Sequence, residues 1–176
     1  MKVLISADQI AERNAALAIE IAQALPESVR QEGVVMVGPL KGAVVFLVDL
    51  ARELGKHVQN IEMDFLGLSS YGGGTVSKGE VTMDSDLRHD VADKHVLLVD
   101  DIVDTGRTLA FAHKHLAAKG PASLRTVTLL DKPSRRVIEV PVEHVGFTIE
   151  DVFVVGYGTD YAEKYREVPF IGILRD

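Results

Sequence analysis

Residues 95–108, "HVLLVDDIVDTGRT", constrain the fold more than any other part of this chain. The apolar run over 95–100 reads as a strand buried on both faces. It runs out into Asp100, Asp101 and Asp104, and "TGRT" (105–108) then opens a helix predicted over 106–120, with Gly120 closing it. A strand buried on both faces belongs in a mainly parallel sheet covered by helices. The carboxyl end of such a strand is where open α/β sheets take their ligands.

The rest of the chain repeats the alternation. Ser6, with Gln9 three residues on, is a capping-box signature, and Ile10, Leu17, Ile21 and Leu25 share one face of a helix that Pro26 ends. Residues 34–38 (VVMVG) predict a strand and 42–55 a helix closed by Gly55; 58–66 and 123–131 predict further strands. After residue 140 come short strands in "HVGF", "VFVVGYG" and "FIGIL" with no long helix between them, which predicts a smaller flap packed on the sheet. The glycine- and serine-rich segment 67–79 either connects passively or moves as a lid over a site. With 176 residues, 47% of them hydrophobic, the expectation is one α/β domain over 1–176.

Composition excludes several functions. Lys+Arg 19 against Asp+Glu 26 gives a net charge of −7, the wrong sign for a face that neutralises a nucleic-acid backbone. Cysteine is absent, which removes disulfides and thiolate metal sites. The start "MKVLISADQIAERN" lacks the apolar core of a signal peptide, and the most apolar runs are too short to span a bilayer, so a cytoplasmic protein with no membrane partner is expected. His113 and His115 are two apart on a helix and point in different directions, and the other histidines are scattered, so they read as structural or surface residues.

Three carboxylates at a buried strand end need a cation or many donors to be tolerable. Thr105, Gly106, Arg107 and Thr108 follow them with successive backbone N–H groups, two hydroxyls and a positive helix end, a setting suited to a phosphate. A helix N-terminus capped by Asp and Thr is the plain alternative for any one of these residues. The spacing is not that of a P-loop. "VLLVDD" and "DKP" (131–133) are also similar to receiver domains, but there the acidic pair follows the first strand of a domain of about 100 residues. Only 75 residues follow Asp101 here.

"LLVDDIVDTGRT" resembles the fingerprint of the type I phosphoribosyltransferases: a buried strand, two acidic residues, two apolar residues, then D-T-G-x-T. "PLKGA" (39–43), "SSY" (69–71), "LLDKPSRR" (129–136) and "VFVVGYGTDYAEKYREVPFIG" (152–172) are similar to one branch, the hypoxanthine-guanine phosphoribosyltransferases. The resemblance covers nearly the whole chain, in the right order. It implies a mainly parallel twisted sheet with a small hood, made largely by the C-terminal segment with the N-terminus. It further implies Mg²⁺-dependent transfer of the phosphoribosyl group from 5-phosphoribosyl 1-pyrophosphate to hypoxanthine, guanine or xanthine, a step of purine salvage, by a homodimer or homotetramer.

The same resemblance assigns roles. Asp100 and Asp101 hold the ribose hydroxyls and the Mg²⁺, with Asp160 ligating a second Mg²⁺; Asp104 is the general base near the purine N7. Thr105, Gly106, Arg107 and Thr108 take the 5′-phosphate, while Leu40, Lys41, Gly42 and Arg166 take the pyrophosphate, often with a cis bond between Leu40 and Lys41. Lys132 donates to O6 of a 6-oxopurine, Phe153 stacks on the ring, the Val154 backbone reads its edge, and Ser70 and Tyr71 belong to the lid. Read alone, Lys41 is a surface lysine, Phe153 a core residue and "TDYAEKYRE" a charged turn. The chain departs from the pattern at Thr159, where the family has a bulky apolar residue beneath the base, and at Asp100, where glutamate is commoner. A non-catalytic relative that senses nucleotides and binds RNA is the alternative function on this fold; the net charge and Lys132 count against it.

Overall fold

The structure is a computed structural model that describes residues 1–70 and 80–174. Its first half runs β1 (Lys2–Ile5), α1 (Ala7–Ala24), α2 (Glu27–Glu32), β2 (Val34–Leu40), α3 (Ala43–Leu54), β3 (Ile61–Ser70) and β4 (Val81–Ser85). There follow β5 (His95–Val103), α4 (Arg107–Ala117), β6 (Ser123–Asp131), a 3-10 turn (Pro133–Arg135), β7 (His144–Thr148), β8 (Val154–Val155) and β9 (Ile171–Ile173). The main sheet has the order β4-β3-β2-β5-β6-β7; all neighbours are parallel except β4, which pairs antiparallel with β3. A second, antiparallel sheet of order β1-β9-β8 joins the N-terminus to the C-terminal segment.

Period-two alternation divides the core between the two faces of the sheet. Met36, Leu97 and Val99 pack with Leu17 and Ile21 of α1 and with Phe46, Leu47 and Leu50 of α3. Val35, Val37, Val96 and Leu98 pack with Leu109, Ala112 and Leu116 of α4. The strands therefore carry apolar residues at every position, as a sheet covered on both sides requires.

Ser6 closes the expected capping box on α1: its side chain accepts from the Gln9 N–H at 3.2 Å, and its own N–H donates to Gln9 Oε1 at 2.9 Å. Four expectations are corrected. "HVGF" is no part of a flap; it forms β7, the last strand of the main sheet, parallel to β6. The strand expected over 58–66 runs over Ile61–Ser70, because β4 pairs antiparallel with its last residues and extends it into the glycine-rich stretch. β5 continues to Val103, held by β6 through Val103↔Asp131, where the carboxylates had suggested an end at Asp100. α4 begins at Arg107 and ends at Ala117, inside the expected range. β1 and the short α2 were not anticipated.

Asp86 pins the end of β4 to α4. Its carboxylate oxygens lie 2.8 Å from His115 Nε2 and 2.8 Å from Lys119 Nζ. Burial pushes the carboxyl up, but the hydrogen bonds from Lys119 and His115 outweigh it and hold the pKa at about 2, against an ordinary 3.8. A depressed carboxyl stabilises the fold above its unfolded pKa, and that contribution is lost as pH falls from near 3.8 through about 2. The group is well exposed, so screening limits the effect. Asp86→Asn is expected to lower Tm at pH 7 by about 1–3 °C and by much less near pH 2. Melting curves at the two pH values check this, and equal losses at both would contradict it.

Candidate active site

The last residues of β5 and the turn into α4 form the floor of the site. Asp100 is buried; its Oδ1 accepts the Asp101 N–H at 3.0 Å, and Asp101 Oδ1 accepts the Ile102 N–H at 3.0 Å. Burial, and then the charge of Asp101, push the Asp100 carboxyl well above its ordinary range. Burial raises Asp101 too, against hydrogen bonds from Asp100 and from the Ile102 N–H. A cation bound beside the two carboxyls would favour their ionised forms against this upward push.

The turn is braced from behind. Thr105 O accepts the N–H groups of Val137 and Ile138 at 2.9 and 3.0 Å, and the Arg107 N–H reaches Thr105 Oγ1 at 3.4 Å. Gly106, at φ +85°, is the N-cap of α4; a side chain there would be strained and would collide with Ile138 O. The chain thereby folds its N–H groups and the α4 N-terminus around one concavity, as anion binding needs.

Two cavities adjoin above this floor. One, of about 380 Å³, is lined by Ser70, Asp100, Asp101, Asp104, Thr105, Gly106, Thr108 and Asp160. The other, of about 200 Å³, is lined by Asp101, Ile102, Asp104, Lys132, Phe153, Val154, Thr159 and Asp160. Asp101, Ile102, Asp104 and Asp160 lie on both. The two lobes bring together the residues assigned to ribose and 5′-phosphate and those assigned to the purine. Arg107 lies in the first turn of α4 outside both linings, and Tyr71 falls outside the described residues.

Lys132 is buried at the end of β6, where its N–H donates to Val103 O at 2.9 Å. Among the described residues no carboxylate stands within ion-pair distance of its ammonium, so a ligand oxygen in the smaller cavity would be its acceptor. Phe153 is 53% exposed, which answers the alternative that it is core, and it meets Tyr161 edge to face at 5.7 Å. Val154 is buried in β8, paired with Ile173. Thr159 is buried and spends its hydroxyl on Gly156 O at 2.8 Å.

The segment expected to take pyrophosphate lies against this floor. The Leu40–Lys41 peptide bond is cis. Gly42 is the N-cap of α3, and a Cβ there would stand 2.8 Å from Asp101 Cγ and overlap its Oδ2. The Gly42 carbonyl is packed in turn against Gly158. Arg166 donates to Gly158 O at 2.7 Å and pairs with Asp160 Oδ1 at 2.9 Å. Lys41 pairs with Glu163 at 2.9 Å.

Several contributors were missed in the sequence. Arg135 Nε is 2.9 Å from Asp104 Oδ1, and its guanidinium is 3.6 Å from Asp151. Arg136 donates to Asp104 O at 3.2 Å and pairs with Asp131. Tyr157, buried at φ +49°, donates to Asp49 Oδ2 at 2.7 Å and accepts from Asn14 Nδ2 at 2.9 Å, so it ties the purine segment to α3 and α1. The arginine pair at 135–136 was the available signal for the first two; Tyr157 offered none beyond a tyrosine between glycines.

The donor set suits a hard divalent cation. Asp100 and Asp101 offer carboxylate oxygens, and among the described residues no group of three or more ligating side chains forms a closed cage. Mg²⁺ characteristically takes one or two carboxylates and completes its shell from substrate oxygens and water. The adjacent carboxylates of Asp100 and Asp101 on the wall of the larger cavity are the observation that fits it.

The phosphoribosyl transferase domain family matches residues 6–162, and the chain belongs to that family. Hypoxanthine phosphoribosyltransferases of Haemophilus influenzae and Escherichia coli are 45% and 44% identical to it, over 97% and 98% of this chain and 93% and 94% of theirs. The solved Trypanosoma cruzi hypoxanthine phosphoribosyltransferase in complex with the product IMP superposes with a TM-score of 0.90 at 38% identity, covering 99% of this chain and 94% of that one. The chain is also 43% identical to the bifunctional TilS/HprT protein of Listeria monocytogenes, of whose length it spans 26%. Within the family it stands with the hypoxanthine phosphoribosyltransferases, and its mainly parallel sheet with flanking helices has their type I fold.

Proposed function

We propose that the protein transfers the phosphoribosyl group of 5-phosphoribosyl 1-pyrophosphate to hypoxanthine, and to guanine or xanthine, releasing pyrophosphate. The observation that carries this reading is the adjacency of the two lobes: a phosphate-suited turn with buried carboxylates opens directly onto a cavity holding Lys132 and Phe153. The purine N9 lone pair bonds to C1′ while the C1′–O bond breaks toward the pyrophosphate. Asp104 then takes the proton from N7, so that charge balances.

Each step has a group at hand. The N–H groups of residues 105–108 and the α4 N-terminus hold the 5′-phosphate. Asp100 and Asp101 would hold Mg²⁺ and the ribose hydroxyls. When bound, that cation neutralises the leaving pyrophosphate. Lys41 and Arg166 add positive charge on the same side. Lys132 donates to O6, which selects 6-oxopurines, since an ammonium cannot accept from the amino group of adenine. Phe153 covers one ring face, with Tyr161 against it.

Thr159 sets the width of the purine lobe in this reading. Thr159→Leu is expected to narrow it and to shift the xanthine-to-hypoxanthine ratio of kcat/KM by about tenfold, the scale on which a small change in pocket volume discriminates. The Gly156 carbonyl keeps the Thr159 N–H at 3.0 Å, so the turn survives the change. Unaltered ratios across the three purines would place Thr159 outside base selection. The function itself is tested by mixing the protein with hypoxanthine, 5-phosphoribosyl 1-pyrophosphate and Mg²⁺ and following inosine monophosphate. No product with hypoxanthine, guanine or xanthine would overturn it.

A further inference from the structure

Lys41 and Arg166 reach the site from distant parts of the chain, and one carboxylate stands between them. Glu163 Oε2 lies 2.9 Å from Lys41 Nζ, and Glu163 Oε1 lies 3.5 Å from Arg166 Nη2. The same Nη2 is 2.9 Å from Asp160 Oδ1, and Asp160 Oδ2 accepts the Glu163 N–H at 2.8 Å. A carboxylate that offers one oxygen to each of two cations occupies them as a small bridging anion would. We propose that Glu163 is an internal competitor for the pyrophosphate position: it holds Lys41 and Arg166 in the free protein and yields them to the diphosphate of substrate or product. This rests on the reading of Lys41 and Arg166 given under Proposed function.

The backbone is built to aim Glu163. Ala162, Glu163 and Tyr165 have φ of +51°, +66° and +77°, a region that residues with a Cβ rarely adopt. Asp160 caps the turn, and Tyr161 and Lys164 exchange backbone hydrogen bonds of 3.1 Å. Strained placements of this kind persist where surrounding contacts over-determine them, and they gather at ligand clamps.

The weakness of the clamp suits the role. The Lys41 and Glu163 side chains are each 66% exposed, and ion pairs so exposed contribute little, so a ligand with more charge and more acceptor oxygens displaces the carboxylate. Asp160 Oδ2 keeps the Glu163 N–H when the side chain is displaced, so the carboxylate stays within reach of both cations and returns when the ligand leaves. The competitor thus lowers diphosphate affinity by a small factor and speeds product departure. Both cations stay neutralised in between.

Calorimetric titration of inorganic pyrophosphate with Mg²⁺ into the wild type, Glu163→Gln, Glu167→Gln, Lys41→Met and the Lys41→Met/Glu163→Gln double variant tests this. Glu163→Gln is expected to lower Kd about two- to fivefold. Glu167→Gln removes the same charge from the same segment and is expected to leave Kd unchanged. In the Lys41→Met background the gain from Glu163→Gln shrinks. An unchanged or weaker affinity in Glu163→Gln, or an equal gain in Glu167→Gln, overturns the inference alone. A wild type that binds no pyrophosphate overturns the parent reading and this inference with it.

Discussion

Asp104→Asn is expected to lower kcat for nucleotide formation by about two to four orders of magnitude while leaving the affinity for 5-phosphoribosyl 1-pyrophosphate nearly intact. Asparagine has the shape of aspartate and keeps an oxygen for Arg135, which stands 2.9 Å from Asp104 Oδ1. It cannot take the N7 proton. The backbone around it is secured independently, by Arg136 on Asp104 O and by Val137 and Ile138 on Thr105 O, so the phosphate turn does not depend on the lost charge. Parallel measurement of kcat and of 5-phosphoribosyl 1-pyrophosphate binding separates the two roles. Equal losses in both would make Asp104 a binding group.

Gly42→Ala is expected to cost about a hundredfold or more in kcat/KM with the fold retained. Gly42 sits at φ −55°, ψ −43°, ordinary helical backbone that alanine adopts freely, so the residue is not required for its conformation. Space is what requires it. The added Cβ overlaps Asp101 Oδ2, and either that carboxylate or the Leu40–Gly42 segment must shift. Displacements of about 1 Å in positioning groups cost rate on this scale. Circular dichroism and Tm should match the wild type, and Mg²⁺-dependent binding of 5-phosphoribosyl 1-pyrophosphate should fall with activity. Full activity in Gly42→Ala would show that Asp101 has room the structure does not show.

Strands buried on both faces announced themselves as unbroken apolar runs, and "VVMV", "HVLLV" and "TVTLL" lie in β2, β5 and β6. The sheet to which a strand belongs was not legible. "HVGF" has the composition of any short strand, and only its pairing with β6 places it in the main sheet. The end of β5 was hidden because carboxylates argue against a strand, while the ladder to β6 keeps Asp100 through Val103 within one. In the site, the contiguous turn 104–108 was readable because its chemistry is local. Arg135 and Glu163 were not, since their meaning lies in Asp104, 31 residues away, and in Lys41, 122 residues away. The cation pair Lys41 and Arg166 could be proposed from resemblance, but the carboxylate joining them could only be seen in three dimensions.

A crystal structure of the protein with inosine monophosphate, pyrophosphate and Mg²⁺ would show directly how these segments divide the work. The 5′-phosphate is expected on the N–H groups of residues 105–108, O6 within hydrogen-bond distance of Lys132 Nζ, the base against Phe153, and pyrophosphate between Lys41 and Arg166 with Glu163 displaced. A nucleotide bound with its base away from Lys132 and Phe153, or a pyrophosphate that leaves the Lys41–Glu163 pair closed, would contradict that division.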